Sequence, residues 1–227
     1  MSDIPQDFPL ASYIDQTILT PTASAEDVIA KAEKARELGF ASLCVAPCHV
    51  VTASTVLAGS NVRVQTVCGF PLGFQTVETK CFEARHLKDS GAEEIDMVVN
   101  RGFIRGGRLD LLEAEIRSVA DSVAPLEIKT ILEISDLSLD EILTAAEIAA
   151  RAGARYVKTS TGFFGSGADL KIVRAVKDKV GDRLKIKASG GIRTLNSAWD
   201  FIQAGASRIG TSSGETILTQ ARENRDA

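Results

Sequence analysis

Residues 151–159 read RAGARYVKT. A helical pattern ends, a glycine reverses the chain, and a short β-rich run begins at once and finishes on a lysine. The same unit recurs as ELGFASLCV at 37–45, DSGAEEIDMV at 89–98 and QAGASRIGT at 203–211. In each, the glycine supplies the left-handed cap that turns a helix into the next strand. Working outward from this unit, β-rich runs are expected at Tyr13–Ile18, Ser42–Val45, Val62–Val67, Glu94–Val99, Glu127–Leu132, Tyr156–Lys158, Leu184–Lys187 and Arg208–Gly210. Helical patterns lie between them. Ser24 caps a helix running to Leu38, with Asp27 three residues on and Gly39 as its stop. Others cover Val77–Ser90, Leu109–Ser122, Ser138–Ala152, Leu170–Val180 and Thr194–Ala204. Eight βα units in a chain of 227 residues predict an α/β fold, a (β/α)8 TIM barrel. The expectation is one domain over residues 1–227 with a short N-terminal extension. An open doubly wound sheet is the alternative, but no G-x-G-x-x-G follows the first strand.

Composition narrows the class. Hydrophobic residues make up 44% and charged residues 25%, which suits a globular core, and the net charge of −4 argues against nucleic acid or an anionic membrane as partner. The polar start MSDIPQDFPLASYIDQ lacks a cationic segment followed by an apolar one, and no window approaches a membrane span. A cytoplasmic location is expected, where Cys44, Cys48, Cys68 and Cys81 stay reduced. Cys44-x3-Cys48-His49 has no second close pair to complete a zinc site, so no metal is expected.

Parallel strands covered on both faces should read as runs of Val, Ile and Leu. Here they carry charge: Asp15 in the first strand, then EIDMVV, EIKTIL, RYVKT and LKIKA. Because side chains alternate, Lys185 shares a face with Lys187, Lys158 with Tyr156, and Asp96 with Glu94. These charges either pair inside the barrel or converge at its C-terminal mouth, where barrel active sites are built. Lys158 and Lys187 on adjacent strands, with Asp96 nearby, favour convergence. A lysine must be neutral to act as a nucleophile, and burial beside a second cation favours the neutral form. The chemistry expected is a Schiff base with a carbonyl substrate, without a cofactor. Three small-residue clusters follow the last three strands: Thr161-Gly162, Ser189-Gly190-Gly191 and Gly210-Thr211-Ser212-Ser213-Gly214. Glycines let backbone approach an anion, and loops late in a barrel commonly hold phosphate; Arg193 could neutralise its charge.

The motifs IDQTILTPTAS, SLCVAPC, VCGFPLGFQTVETKCFEA, GAEEIDMVVN, VKTSTGF, KASGGIRT and GASRIGTSSG together resemble the deoxyribose-phosphate aldolase family, from Asp15 to Gly214. The resemblance implies reversible cleavage of 2-deoxy-D-ribose 5-phosphate to acetaldehyde and D-glyceraldehyde 3-phosphate. It implies Lys158 as the Schiff-base lysine, Lys187 as the lysine that tunes it, and Asp96 as the proton-handling carboxylate, acting through a water. Asp15 and Thr17 correspond to a polar pair near the substrate hydroxyl, and Cys44 to a pocket-lining residue. Gly162, Gly190, Gly191, Arg193, Gly210, Ser212 and Ser213 correspond to phosphate-binding positions, beside Thr161. Partners are then a sugar phosphate and aldehydes, with a homo-oligomer, a dimer, as the expected assembly. His49 and His86 read as helix-surface or packing residues. Two departures stand out. The family's first strand usually reads Asp-His-Thr, here Asp15-Gln16-Thr17, and many members carry a C-terminal tyrosine that helps proton transfer at C2, where this chain reads ARENRDA. A lysine-dependent aldolase for another phosphorylated sugar, or a non-catalytic sugar-phosphate binder, are the alternatives.

Overall fold

The computed structural model describes residues 4–226, side chains of 225 and 226 excepted; residues 1–3 and 227 of the expected domain lie outside the described residues. Eight strands form a closed barrel in sequence order: β1 (Ile14–Ile18), β2 (Ser42–Val45), β3 (Arg63–Cys68), β4 (Glu94–Val98), β5 (Glu127–Ile131), β6 (Tyr156–Lys158), β7 (Lys185–Ser189) and β8 (Arg208–Thr211). All neighbours are parallel, and β1 closes on β8 with Asp15 opposite Gly210. The (β/α)8 expectation is therefore met, with strand ends differing by one or two residues.

The helices are α1 (Ala25–Leu38), α2 (Val50–Leu57), α3 (Val77–Asp89), α4 (Arg101–Arg105), α5 (Leu109–Val123), α6 (Leu139–Arg151), α7 (Leu170–Val180), α8 (Leu195–Gln203) and α9 (Gly214–Asp226). Local sequence starts and stops them. Ser24 with Asp27, and Ser138 with Glu141, form reciprocal capping boxes, and Gly39 ends α1 at φ 67°. Three helices were not expected from sequence: α2, α4 and α9. In α2, VVTASTVL is rich in β-branched residues, which are poor helix formers. It is helical because Val50, Ala53 and Leu57 share one face and are buried there.

Strand alternation divides the core. On each strand an aliphatic residue (Ile14, Leu43, Val64, Ile95, Ile128, Val157, Ile186 and Ile209) points outward into a shell beneath the helices, and all are buried. From α5, Leu112, Ile116, Val119 and Val123 meet that shell; from α6, Ile142, Ala145 and Ala149 do so. The opposite strand face fills the barrel interior with polar and charged side chains. Outside the barrel, fully buried Lys80 pins the β3–α3 connection. Its Nζ donates to the carbonyls of Gly73 (2.6 Å) and Val98 (2.8 Å) and pairs with Glu115 at 2.7 Å. Burial nevertheless raises the Glu115 carboxyl above its ordinary value, against the pull of Lys80.

Candidate active site

The interior charges separate into two tiers along the barrel axis. Nearer the N-terminal ends of the strands, Tyr156 packs against Lys129, Lys185 and Arg208, 5.2, 5.4 and 5.8 Å from its ring centre. Here Glu94 pairs with Lys129 and with Arg63, the latter at 2.7 Å. This tier realises the internal ion-pair reading.

The upper tier is organised by Asp96. Its Oδ2 receives Lys158 Nζ at 2.8 Å and Lys187 Nζ at 3.0 Å, while its Oδ1 accepts from Gln65 Nε2 and lies 3.6 Å from Lys129 Nζ. Lys187 also pairs with Asp15 Oδ2 at 2.7 Å and donates to Gln65 Oε1 at 3.1 Å. Arg208 holds the other Asp15 oxygen at 2.8 Å. Asp15, Asp96 and Lys187 are wholly buried. Burial works against each charge, but the pairing outweighs it. Lys158, Lys187 and Lys129 hold the Asp96 carboxyl well below the ordinary range. Lys187, Lys129 and Arg208 do the same for Asp15. Asp15 and Asp96 in turn hold Lys187 protonated well above the usual lysine value. Lys187 thus sits as a cation between two carboxylates, off the cavity wall.

Above this tier opens a cavity of about 500 Å³. Lys158 lies on its wall together with Thr17, Thr161, Gly162, Gly190, Gly191, Arg193, Gly210 and Ser212. The loops after β6, β7 and β8 thus meet around one lysine, as barrel geometry requires of residues at strand C-termini. They are tied to one another. Thr159 Oγ1 donates to the Ser189 carbonyl at 2.9 Å, and Thr211 Oγ1 to the Ile192 carbonyl at 2.6 Å. Gly210 has a packing reason beyond any ligand: a Cβ there would overlap Ser189 Oγ and stand 2.9 Å from Lys187 Cε. Only glycine leaves Lys187 its path to Asp96.

Of the residues singled out from sequence, Asp15, Asp96 and Lys187 lie beneath the cavity, and Asp96 bonds Lys158 directly. Cys44 is buried on β2, is not among the cavity-lining residues, and has its thiol pushed up to about 11 by burial. Ser213 is also off the cavity wall; its N–H donates to Thr211 Oγ1 at 2.9 Å. His86 is exposed on α3 and His49 contacts the Ala23 carbonyl at 3.1 Å, both away from the site. Among the described residues no three His, Cys, Asp or Glu side chains converge as a metal site would need.

Sequence reasoning missed Gln65, Lys129, Arg208 and Glu133. The first three occupy inward positions that strict alternation along QTV, EIK and RIG would have exposed. Glu133 follows β5 at φ 45°, the positive-φ non-glycine among the described residues, and is buried. Its carboxylate accepts from the Thr161 hydroxyl and from the Thr161 N–H at 3.2 Å, shaping the loop that follows Lys158. No local pattern marks that role.

Residues 10–220 match the family described as DeoC/LacD family aldolase. A deoxyribose-phosphate aldolase of Geobacillus sp. (strain WCH70) is 45% identical over 92% of this chain and 94% of its own length. One of Clostridium kluyveri is 46% identical over 93% and 97%. Among solved structures, the tetrameric deoxyribose phosphate aldolase from Aeropyrum pernix superposes with a TM-score of 0.88 at 32% identity, covering 95% of this chain and 92% of that one. A charged tier under a lysine, glycine-rich loops around it, and relatives matching nearly end to end all agree: this chain belongs to the DeoC/LacD aldolase family.

Proposed function

We propose that the protein is a Schiff-base aldolase that reversibly cleaves 2-deoxy-D-ribose 5-phosphate to acetaldehyde and D-glyceraldehyde 3-phosphate. The observation that carries this reading is the contrast between its two upper lysines. Lys158 faces the cavity within reach of three glycine-rich loops, whereas Lys187 is fully buried on two carboxylates. The end-to-end match to deoxyribose-phosphate aldolases supports the choice of sugar.

Lys158, once neutral, adds to C1 of the open-chain aldehyde; water leaves and an iminium forms. The C3 hydroxyl gives up its proton, the C2–C3 bond breaks, and its electron pair moves to C2 as the iminium becomes an enamine. The C3 fragment departs as D-glyceraldehyde 3-phosphate. Protonation at C2 and hydrolysis then free acetaldehyde and Lys158. Asp96 supports these steps from below. The ammonium of Lys158 carries three hydrogens and the iminium one, so covalent capture loosens its hold on Asp96 Oδ2 and lets that oxygen accept a water that carries protons to and from C3 and C2. Lys187 supplies a fixed positive charge next to Lys158, on the same Asp96 oxygen. Thr17 meets the substrate hydroxyl from the cavity wall, Asp15 acts from behind through Lys187, and Cys44 packs beneath them. Thr161, Gly162, Gly190, Gly191, Arg193, Gly210 and Ser212 form the phosphate bed, with Ser213 supporting it from the turn behind Ser212; the bed holds the chain in register and contributes proximity.

The chain acts as one barrel domain with a short N-terminal extension. We place it in the cytoplasm, in keeping with four free cysteines and with no helix long and apolar enough to cross a membrane among the described residues. A homodimer is the assembly we propose, to be read by light scattering on the purified protein.

The test is borohydride reduction in the presence of 2-deoxyribose 5-phosphate, followed by peptide mapping. An adduct on Lys158 is expected. Intact folded protein without an adduct would overturn the reading, and turnover with dihydroxyacetone phosphate instead of acetaldehyde as donor would point to an aldolase for a different sugar.

A further inference from the structure

The central residue of β1, Gln16, belongs to neither the charged tier nor the cavity wall. Asp15 and Thr17 on either side of it serve the barrel interior, so Gln16 points outward, and there it is wholly buried. Its amide is used at both ends. Nε2 donates to the Ser212 carbonyl at 3.1 Å, and Oε1 accepts the Gly214 N–H at 3.0 Å. The amide therefore brackets the turn on either side of Ser213, where β8 passes into α9. The fit is close: a Cβ on Gly214 would overlap Gln16 Oε1 and stand 2.9 Å from Ile14 Cγ2. From the other side, Thr211 Oγ1 accepts the Ser213 N–H at 2.9 Å and donates to the Ile192 carbonyl. The turn is thus held between β1 and the β7 loop, and it carries Ser212 onto the cavity wall with Gly191 and Arg193.

We propose that Gln16 is a positioning residue for phosphomonoester recognition: by bracketing the 212–214 turn it sets the preference of the enzyme for phosphorylated over unphosphorylated sugar. This rests on the reading of the glycine-rich loops as a phosphate bed. Charge-assisted hydrogen bonds to an anion depend steeply on donor placement, so a turn freed on one side loses grip on the phosphate. Lys158 is held by Asp96, with no contact to Gln16, so the covalent step is set elsewhere. The glutamine amide also explains how β1 departs from Asp-His-Thr without losing the bracket, because a neutral imidazole likewise offers one donor and one acceptor.

The experiment compares kcat and KM for 2-deoxyribose 5-phosphate and for 2-deoxyribose in the native enzyme, Gln16→Met and Gln16→His. Gln16→Met keeps length and apolar bulk and removes both hydrogen bonds. It is expected to lower the phosphorylated-to-unphosphorylated ratio of kcat/KM about tenfold, chiefly through KM of the phosphorylated sugar. Gln16→His is expected to restore most of that ratio. An unchanged ratio in Gln16→Met, or equal losses on both sugars, overturns the proposal. Should Gln16→Met fail to fold, Gln16→Asn keeps a neutral amide but falls one methylene short of both Ser212 and Gly214 and must still lower the ratio. If the native enzyme shows no preference for the phosphorylated sugar, the phosphate bed itself is wrong and the role of Gln16 falls with it.

Discussion

Lys158 and Lys187 are partners in register across β6 and β7, and their ammonium groups meet on one oxygen, Asp96 Oδ2, at 2.8 and 3.0 Å. The two are not equivalent. Both are buried, but Lys187 is bound to a second carboxylate, Asp15, while Lys158 lies on the cavity wall. One lysine is built to stay charged and the other to react.

Replacement of Lys158 by Arg keeps a cation on Asp96 but removes the nucleophile. Borohydride trapping should vanish and kcat/KM should fall by roughly four orders of magnitude, with the folded state retained. Circular dichroism alongside the trapping assay checks both halves.

Lys187→Met removes the buried charge and leaves Asp15 and Asp96 partly unpaired. A loss of about 10²–10³ in kcat/KM is expected, because the electrostatic support beneath Lys158 is gone. Steady-state kinetics reads it, and full activity in Lys187→Met would show that the buried cation is dispensable.

Gly210→Ala tests the same cation by a steric route. The new methyl would crowd Lys187 Cε and Ser189 Oγ. Activity should fall at least tenfold on 2-deoxyribose as well as on its 5-phosphate, which a defect confined to phosphate binding would not produce.

Asp96→Asn strands cations in a dry interior. Breaking a buried ion pair from one side costs about 3–5 kcal/mol, so a clear drop in the urea midpoint should accompany the loss of activity. Chemical denaturation at neutral pH reads it directly.

Acid stability follows from the two depressed carboxyls. Asp15 and Asp96 titrate below their unfolded value of about 3.9, so their contribution is complete above that pH and is lost as pH falls toward the folded values. The urea midpoint should therefore be nearly constant from about pH 5 to 8 as far as these groups act, and should fall below about pH 4. Asp15→Asn should flatten that acid limb. Lys187 has the opposite sense: its raised value gives stability that is full below the unfolded lysine value of about 10.4 and is lost at higher pH.

Much of this molecule is legible before folding. The glycine that ends each helix in RAGARYVKT and its relatives announces a βα repeat, because a left-handed reversal is a local property of three or four residues. The period-two placement of Lys158, Lys185 and Lys187, and of Glu94 and Asp96, announces that one strand face is polar, because alternation is built into extended backbone. The family motifs then point to the chemistry. Helix α2 escaped notice because VVTASTVL is helical only by virtue of the shell it buries into.

What required the tertiary structure is which charge meets which. Lys158 and Asp96 are 62 residues apart, and Lys187 and Asp96 are 91 apart. Their meeting depends on barrel closure and strand register, which no local pattern encodes. The same closure decides that Lys187 lies beneath the cavity and Lys158 on its wall, that Gly210 is a passage for a side chain as well as a turn, and that Gln16 on the first strand grips the loop after the last. Sequence set the inventory of groups and the two faces of every strand through short-range sterics; long-range packing alone assigned each group its partner, its charge and its work.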